Sequence, residues 1–173
     1  LHRDLQRQRH DGKSEMTPFY STPERIAALD AQVRLWMGTP FRAGSAVSGP
    51  LGGVDCVGLQ AAIHTATGAT QAIELPRKPL DWHLHHDNSA ILDFFHAPEI
   101  RRKLLRVESY DAYQHGDLMA VRTGLCEHHL GTWLNDSRGQ HLLHVPIGGT
   151  VQRWSIGVAP LAGKIASVWR IIE

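Results

Sequence analysis

The sequence predicts an α+β fold, with N-terminal helices packed on a C-terminal antiparallel sheet. Apolar residues recur at helical spacing through about residue 105, whereas from Asp117 onward short apolar runs are separated by Gly, Asn and Asp turn signals at strand spacing. Length points to one core, since a chain of 173 residues buries roughly 70% of its unfolded surface and needs neither disulfides nor a structural metal. The expected organisation is a flexible N-terminal arm over residues 1–20 and a single domain over 21–173.

The first helix is expected from Ser21-Thr22-Pro23-Glu24, which supplies a hydroxyl cap, a proline for the first helical position and an early acid. Ile26, Leu29, Val33, Trp36 and Met37 then form one apolar stripe, and Gly38 stops it. Thr39 to Val54 holds Gly44, Gly49, Gly52, Gly53 and Pro50 and reads as an irregular loop. A second helix is expected over about Asp55 to Thr67, with Leu59, Ala62, Ile63 and Ala66 inward and Gly68 as its stop. Two prolines break Ile73–Pro79, and helical patterns resume at Ser89–Phe95 and Pro98–Leu105. Strands are expected at Leu118–Val121, His129–Leu134, His141–Val145, Thr150–Trp154 and Ile165–Ile171, with Trp133, Trp154 and Trp169 in the core.

Composition excludes several functions. A formal charge of +1 removes the broad cationic field of non-specific nucleic-acid binding, and no apolar run approaches the roughly 18 residues of a membrane span. With 42% apolar and 20% charged residues and no period in its glycines, the chain is neither disordered nor a repeat. Two cysteines allow at most one disulfide, so reduced thiols are the simpler expectation. Leu1 to Glu15 is polar and lacks the apolar stretch of a secretory signal; either Met16 is a natural start or these residues are a basic arm.

The chemistry centres on Asp55-Cys56-Val57-Gly58-Leu59, where a glycine-rich loop delivers a cysteine to the start of a helix. Unpaired N–H groups and the helix dipole favour a thiolate there and can donate to an oxyanion. On position alone, a nucleophile and a small buried thiol remain equally open. Among twelve histidines, His129 begins a strand and His144 lies in the next, so a hairpin between them would pair a base with a group that orients it.

Four blocks, in order, resemble the NlpC-type papain-like cysteine peptidases that cut bacterial cell-wall peptides. They are Trp36-Met37-Gly38-Thr39-Pro40-Phe41-Arg42, the Asp55–Leu59 block, His115-Gly116-Asp117-Leu118, and His129–Leu134 followed by Leu142-Leu143-His144-Val145. A finer resemblance is to the branch found in tails of phages and gene transfer agents, through Val57, Pro79-Leu80-Asp81-Trp82 and the closing run Ile165–Arg170. The resemblance implies Cys56 as nucleophile, His129 as general base and His144 as orienting residue, with Asp55, Phe41 and Trp82 around the substrate. It implies hydrolysis of a peptidoglycan stem peptide, at the γ-D-glutamyl–diaminopimelate bond, without cofactor or metal. It also implies synthesis in the cytoplasm without a signal peptide, action at the cell wall or periplasm, and tail-tip proteins as partners. Phe41 stands where many relatives carry tyrosine, and Val57 where serine is common. A non-catalytic tail-assembly module of the same fold, or an amidase or acyltransferase using the same Cys-His-His set, is the alternative.

Other clusters read more plainly. His83-Leu84-His85-His86-Asp87 fits a solvated loop better than a metal site, and Cys126-Glu127-His128-His129 a turn before the histidine strand. Arg101-Arg102-Lys103 with Arg106 reads as a helix's wet face.

Overall fold

The first helix forms where its signals stand. In the computed structural model, which describes residues 16–72, 79–155 and 164–173 with the side chains of Trp82 and His83 left aside, α1 (Pro23–Trp36) is capped by Thr22, which accepts the Arg25 N–H at 3.4 Å. Leu29, Val33 and Trp36 are buried. Met37, expected in the same stripe, is exposed because the chain leaves the helix there and turns through Gly38 at φ +80°. Residues 18–20, assigned to the arm from sequence, instead pack on the fold: Pro18 bridges Ile172, Phe19–Ser21 form a 3₁₀ turn and Tyr20 is buried. Arg25 stacks over Phe19 and pairs with Glu173, joining this segment to the C-terminus.

The glycine-rich loop contains a minimal antiparallel ladder, β1 (Ala46–Val47) and β2 (Gly53–Val54). α2 (Cys56–Ala66) follows at once, and Gly68 at φ +77° ends it. Its inner face is Leu59, Gln60, Ile63 and His64; Ala66, expected inward, is exposed, so two polar side chains occupy a face the apolar pattern reserved for small residues. The expected break at Ile73–Pro79 lies almost wholly outside the described residues. Three short helices come next, α3 (Trp82–His85), α4 (Ala90–His96) and α5 (Pro98–Arg101).

The helix expected to reach Leu105 stops at Arg101, and β3 (Leu104–Val107) takes its place because the sheet edge recruits it. The other strands are β4 (Leu118–Thr123), β5 (Cys126–Asp136), β6 (Gly139–His144), β7 (Gln152–Ser155) and β8 (Ile165–Ile171), in one antiparallel sheet of order β3-β8-β4-β5-β6-β7. Alternation along the strands gives the sheet two packed faces. Leu118, Ala120, Leu130, Leu134 and Leu143 join Leu29, Val33, Leu59 and Ile63 in the main core, while Met119, Val121, Trp133, Leu142 and Val168 form a second cluster. The α+β class expected from sequence is the one observed.

The His115–Leu118 block is structural. Gly116 has φ +95°, and a Cβ there would lie 2.3 Å from the Tyr20 ring. Asp117 is 1% exposed and receives Arg170 through Nε at 2.9 Å and Nη2 at 2.8 Å, with the Gln114 N–H at 2.8 Å. Removing one partner of such a buried pair strands the other charge. Asp117→Ala is expected to destabilise the fold by about 3 kcal/mol, read as a shift of the urea midpoint; a change below about 1 kcal/mol would mean that Arg170 finds solvent instead.

Candidate active site

Asp55 builds the start of α2. Its Oδ1 accepts the Gly58 N–H at 2.7 Å, the N-cap bond, and its Oδ2 accepts the Gly44 N–H at 2.8 Å, so one carboxylate ties the preceding loop to the helix. Cys56 is therefore fixed as the first helical residue, partly buried and reduced. Its Sγ lies 3.9 Å from the His128 carbonyl oxygen, and the Leu130 N–H is close enough to favour its charged form. The sulfur thus rests on the β5 backbone on either side of His129. A local irregularity puts it there: Val121 pairs with His129 but Arg122 with Glu127, leaving His128 as an extra, bulged residue.

The two expected histidines meet. His129 Nε2 and His144 Nδ1 are 2.9 Å apart, the rings nearly perpendicular at 84°. Gly131 permits the approach of β5 and β6, because a Cβ would lie 2.5 Å from the Leu142 side chain and 2.9 Å from the Leu143 carbonyl. Trp154, expected in the core, is instead 38% exposed and stacks on His144 at 4.8 Å between centroids. Among the described strands β7 is the last in the sheet, and the histidine ring serves as the indole's partner. Cys56, His129, His144, Asp55, Phe41 and Trp154 all line one cavity. Phe41 is set on its wall by its N–H bond to the Gly149 carbonyl at 2.8 Å. Trp82 opens α3, and its side chain lies outside what is described.

The electrostatics correct one expectation. Burial pushes the Cys56 thiol up to about 11, and the Asp55 charge acts in the same direction, against the N–H groups of Leu130, Val57 and Cys56. The helix terminus does not yield a resting thiolate because burial outweighs its N–H groups, and the capping carboxylate beside the sulfur adds to the burial. Burial, with His144 and His128 nearby, lowers His129 to about 3, and burial lowers His144 to about 4. The site rests as a thiol and two neutral imidazoles.

The remaining candidates resolve differently from one another. Cys126 is buried inside β5 rather than in a turn, since the strand starts three residues earlier than expected. Arg101 ends α5 whereas Arg106 lies on β3, ion-paired with Glu108 at 3.1 Å, so the cationic stretch is not one helical face. Among the described residues no group of three or more His, Cys, Asp or Glu gathers around a metal position, and no helix is long and apolar enough to cross a membrane.

Sequence reasoning missed Gln60 and His64, which are both 2% exposed and hydrogen-bonded to β5 through Thr132. The signal was present in the spacing of 56, 60 and 64, which lie along one face of a helix.

With this geometry in hand, the fold is recognisable as that of NlpC/P60 domains. A Staphylococcus aureus structure described as similar to lipoprotein, NLP/P60 family, superposes with a TM-score of 0.60 at 18% identity, covering 92% of this chain and 45% of its own. NlpC1 from Trichomonas vaginalis gives 0.58 at 16%, covering 90% and 47%. The P60 domain of an antigen from M. avium subspecies paratuberculosis gives 0.51 at 18%, covering 87% and 96%. This chain spans less than half the length of the first two. No family model and no curated protein matches the sequence.

Two consequences are measurable. In a Cys126→Ser background, the iodoacetamide rate at Cys56 should climb about tenfold per pH unit from 7 to 9.5, because the thiolate is scarce below about 11; a plateau near neutrality would contradict this. His64, like His129, is held to about 3 by burial, against 6.5 for an ordinary histidine. The unfolded chain therefore binds more protons below 6.5, so stability is full above that pH and falls toward pH 3. The urea midpoint should drop from pH 7 to pH 4.5 while the His64 and His129 imidazoles stay neutral by NMR; early protonation of either in the folded protein would refute the assignment.

Proposed function

We propose that the chain is a cysteine endopeptidase that hydrolyses peptidoglycan stem peptides, at the γ-D-glutamyl–diaminopimelate bond, as a wall hydrolase of a phage-like tail or prophage. The observation that carries the reading is a cysteine at a helix N-terminus and a hydrogen-bonded histidine pair opening into the same cavity. The NlpC/P60 fold of its neighbours and the four sequence blocks support the substrate class.

In this reading His129 draws the proton from Cys56 while the sulfur attacks the carbonyl carbon. For that, His129 must present a bare Nδ1, so its Nε2 carries the proton and donates to His144 Nδ1 at 2.9 Å. His144 then holds its own proton on Nε2, a buried atom with no hydrogen-bond partner among the described residues. Its role is to accept, fixing the tautomer and easing the charge that forms on His129. The N–H groups at the start of α2 donate to the oxyanion. His129 returns the proton to the leaving amine, and water releases the acyl group from sulfur. With Phe41 in the wall, no phenol adds to the oxyanion site.

Mass spectrometry of fragments released from diaminopimelate-type peptidoglycan tests this, comparing the protein with Cys56→Ala. Release only by the intact protein, with masses that name the bond, is expected. His129→Ala should cost at least about a hundredfold in rate and His144→Ala less, since being the base matters more than orienting it. Products retaining a transferred acyl group would mark an acyltransferase. Binding to a tail protein with no turnover would mark a tail-assembly module.

A further inference from the structure

Beneath the site runs a second, unbroken line of polar groups. Tyr20 Oη lies 2.6 Å from His64 Nδ1 and 2.8 Å from Thr67 Oγ1, His64 Nε2 lies 3.1 Å from Thr132 Oγ1, Thr132 bonds Gln60 Oε1, and Gln60 Nε2 reaches the Leu143 carbonyl at 3.5 Å. Tyr20, His64, Gln60 and Thr132 are all buried.

The direction of each bond follows from chemistry. The Leu143 carbonyl can only accept, so Gln60 turns its amide nitrogen toward it and its oxygen toward Thr132. That oxygen also only accepts, so the Thr132 hydroxyl donates and must itself receive a proton from His64 Nε2. A neutral His64 then has a bare Nδ1, which takes the Tyr20 O–H. Every proton points the same way, from the N-terminal segment to β6.

The anchor points are not scattered. Gln60 is one helical turn beyond Cys56, Thr132 is three residues beyond His129, and Leu143 precedes His144. We propose that Tyr20, His64, Thr132 and Gln60 are positioning residues, a directional chain that sets the helix carrying Cys56 against the two strands carrying the histidine pair. In naming Cys56, His129 and His144 as the reacting groups the proposal rests on the peptidase reading, but its geometry does not. A fully satisfied polar network specifies one arrangement where apolar contacts would tolerate several, and small misplacements of reacting groups cost large factors in rate. The network also explains why Tyr20 belongs to the packed fold: its ring fills the space above Gly116 while its hydroxyl starts the chain.

The decisive variant is Thr132→Val in the full chain, which keeps the shape and deletes the relay, with Thr132→Ser as rescue. Nitrogen-15 NMR of the unaltered protein should show His64 as the neutral Nε2–H tautomer at pH 7. Thr132→Val, assayed well below its thermal midpoint, should shift the His129 and His144 ring signals, change the Cys56 alkylation rate at pH 9 and lower kcat by roughly tenfold or more, with KM within about threefold. Thr132→Ser should restore kcat to within about twofold. Tyr20→Phe, which removes one hydroxyl, repeats the test if the valine variant does not fold. A proton on His64 Nδ1, or a folded Thr132→Val protein with unchanged histidine signals and alkylation rate, overturns the proposal. If the unaltered protein releases no wall fragments, the peptidase reading falls, while the tautomer, the ring signals and the alkylation rate still decide the positioning chain.

Discussion

The carboxylate of Asp55 is the constraint on which the site depends. With one oxygen it closes the first turn of α2 through Gly58, and with the other it holds the glycine-rich loop at Gly44. Those two bonds decide that the chain enters the helix at Cys56 and nowhere else. They have an electrostatic consequence, because a negative group placed to satisfy N–H donors also stands next to the sulfur and disfavours a second negative charge. The same residue therefore fixes where Cys56 stands and adds to the burial that keeps its thiol protonated. Both oxygens being engaged by backbone N–H groups, Asp55 stands in the cavity wall as a structural carboxylate.

Strand β5 distributes the chemistry that Asp55 aims at. Its bulge at His128 turns a carbonyl toward the sulfur, Leu130 brings an N–H near it, and His129 between them faces His144. Gly131 lets β6 come close, and Thr132 fastens the strand to α2 through His64 and Gln60. Five consecutive residues thus serve five different contacts. The strand can carry them because Leu130, Trp133 and Leu134 are buried on the two sides of the sheet and leave it no freedom to slip.

Local signals made the helices and most strands legible. Thr22 and Asp55 cap the helices they precede, Gly38 and Gly68 end them, and the strand periodicity after Asp117 matches the sheet. The histidine pair was legible because a hairpin brings neighbouring strands together whatever its exact register. What could not be read depends on distant partners. Leu104–Val107 is a strand only because β8 lies beside it, Trp154 leaves the core only because β7 is the last of the sheet's described strands, and His64 is buried only because Tyr20 and Thr132 flank it. The thiol's charge state belongs to the same class, since the helix terminus and the burial oppose each other and only the fold reveals which is larger.

A thiol raised to about 11 beside an imidazole lowered to about 3 leaves the proton on sulfur throughout the neutral range. Such a site does not rest as an ion pair, so in the proposed peptidase reading the charges would arise together with the attack on the substrate. The geometry suits that sequence. In the proposed peptidase reading, an imidazolium formed on His129 would be eased by His144 Nδ1, and the N–H groups at the start of α2 would donate to the oxyanion. A buried, protonated thiol reacts slowly with oxidants and stray electrophiles, and in the proposed reading its reactivity would appear only when a carbonyl is in place to share the charge. Preorganisation then carries the burden that a stable thiolate would otherwise carry, which is why so much of the buried polar chemistry lies in the layer that fixes α2 against β5 and β6.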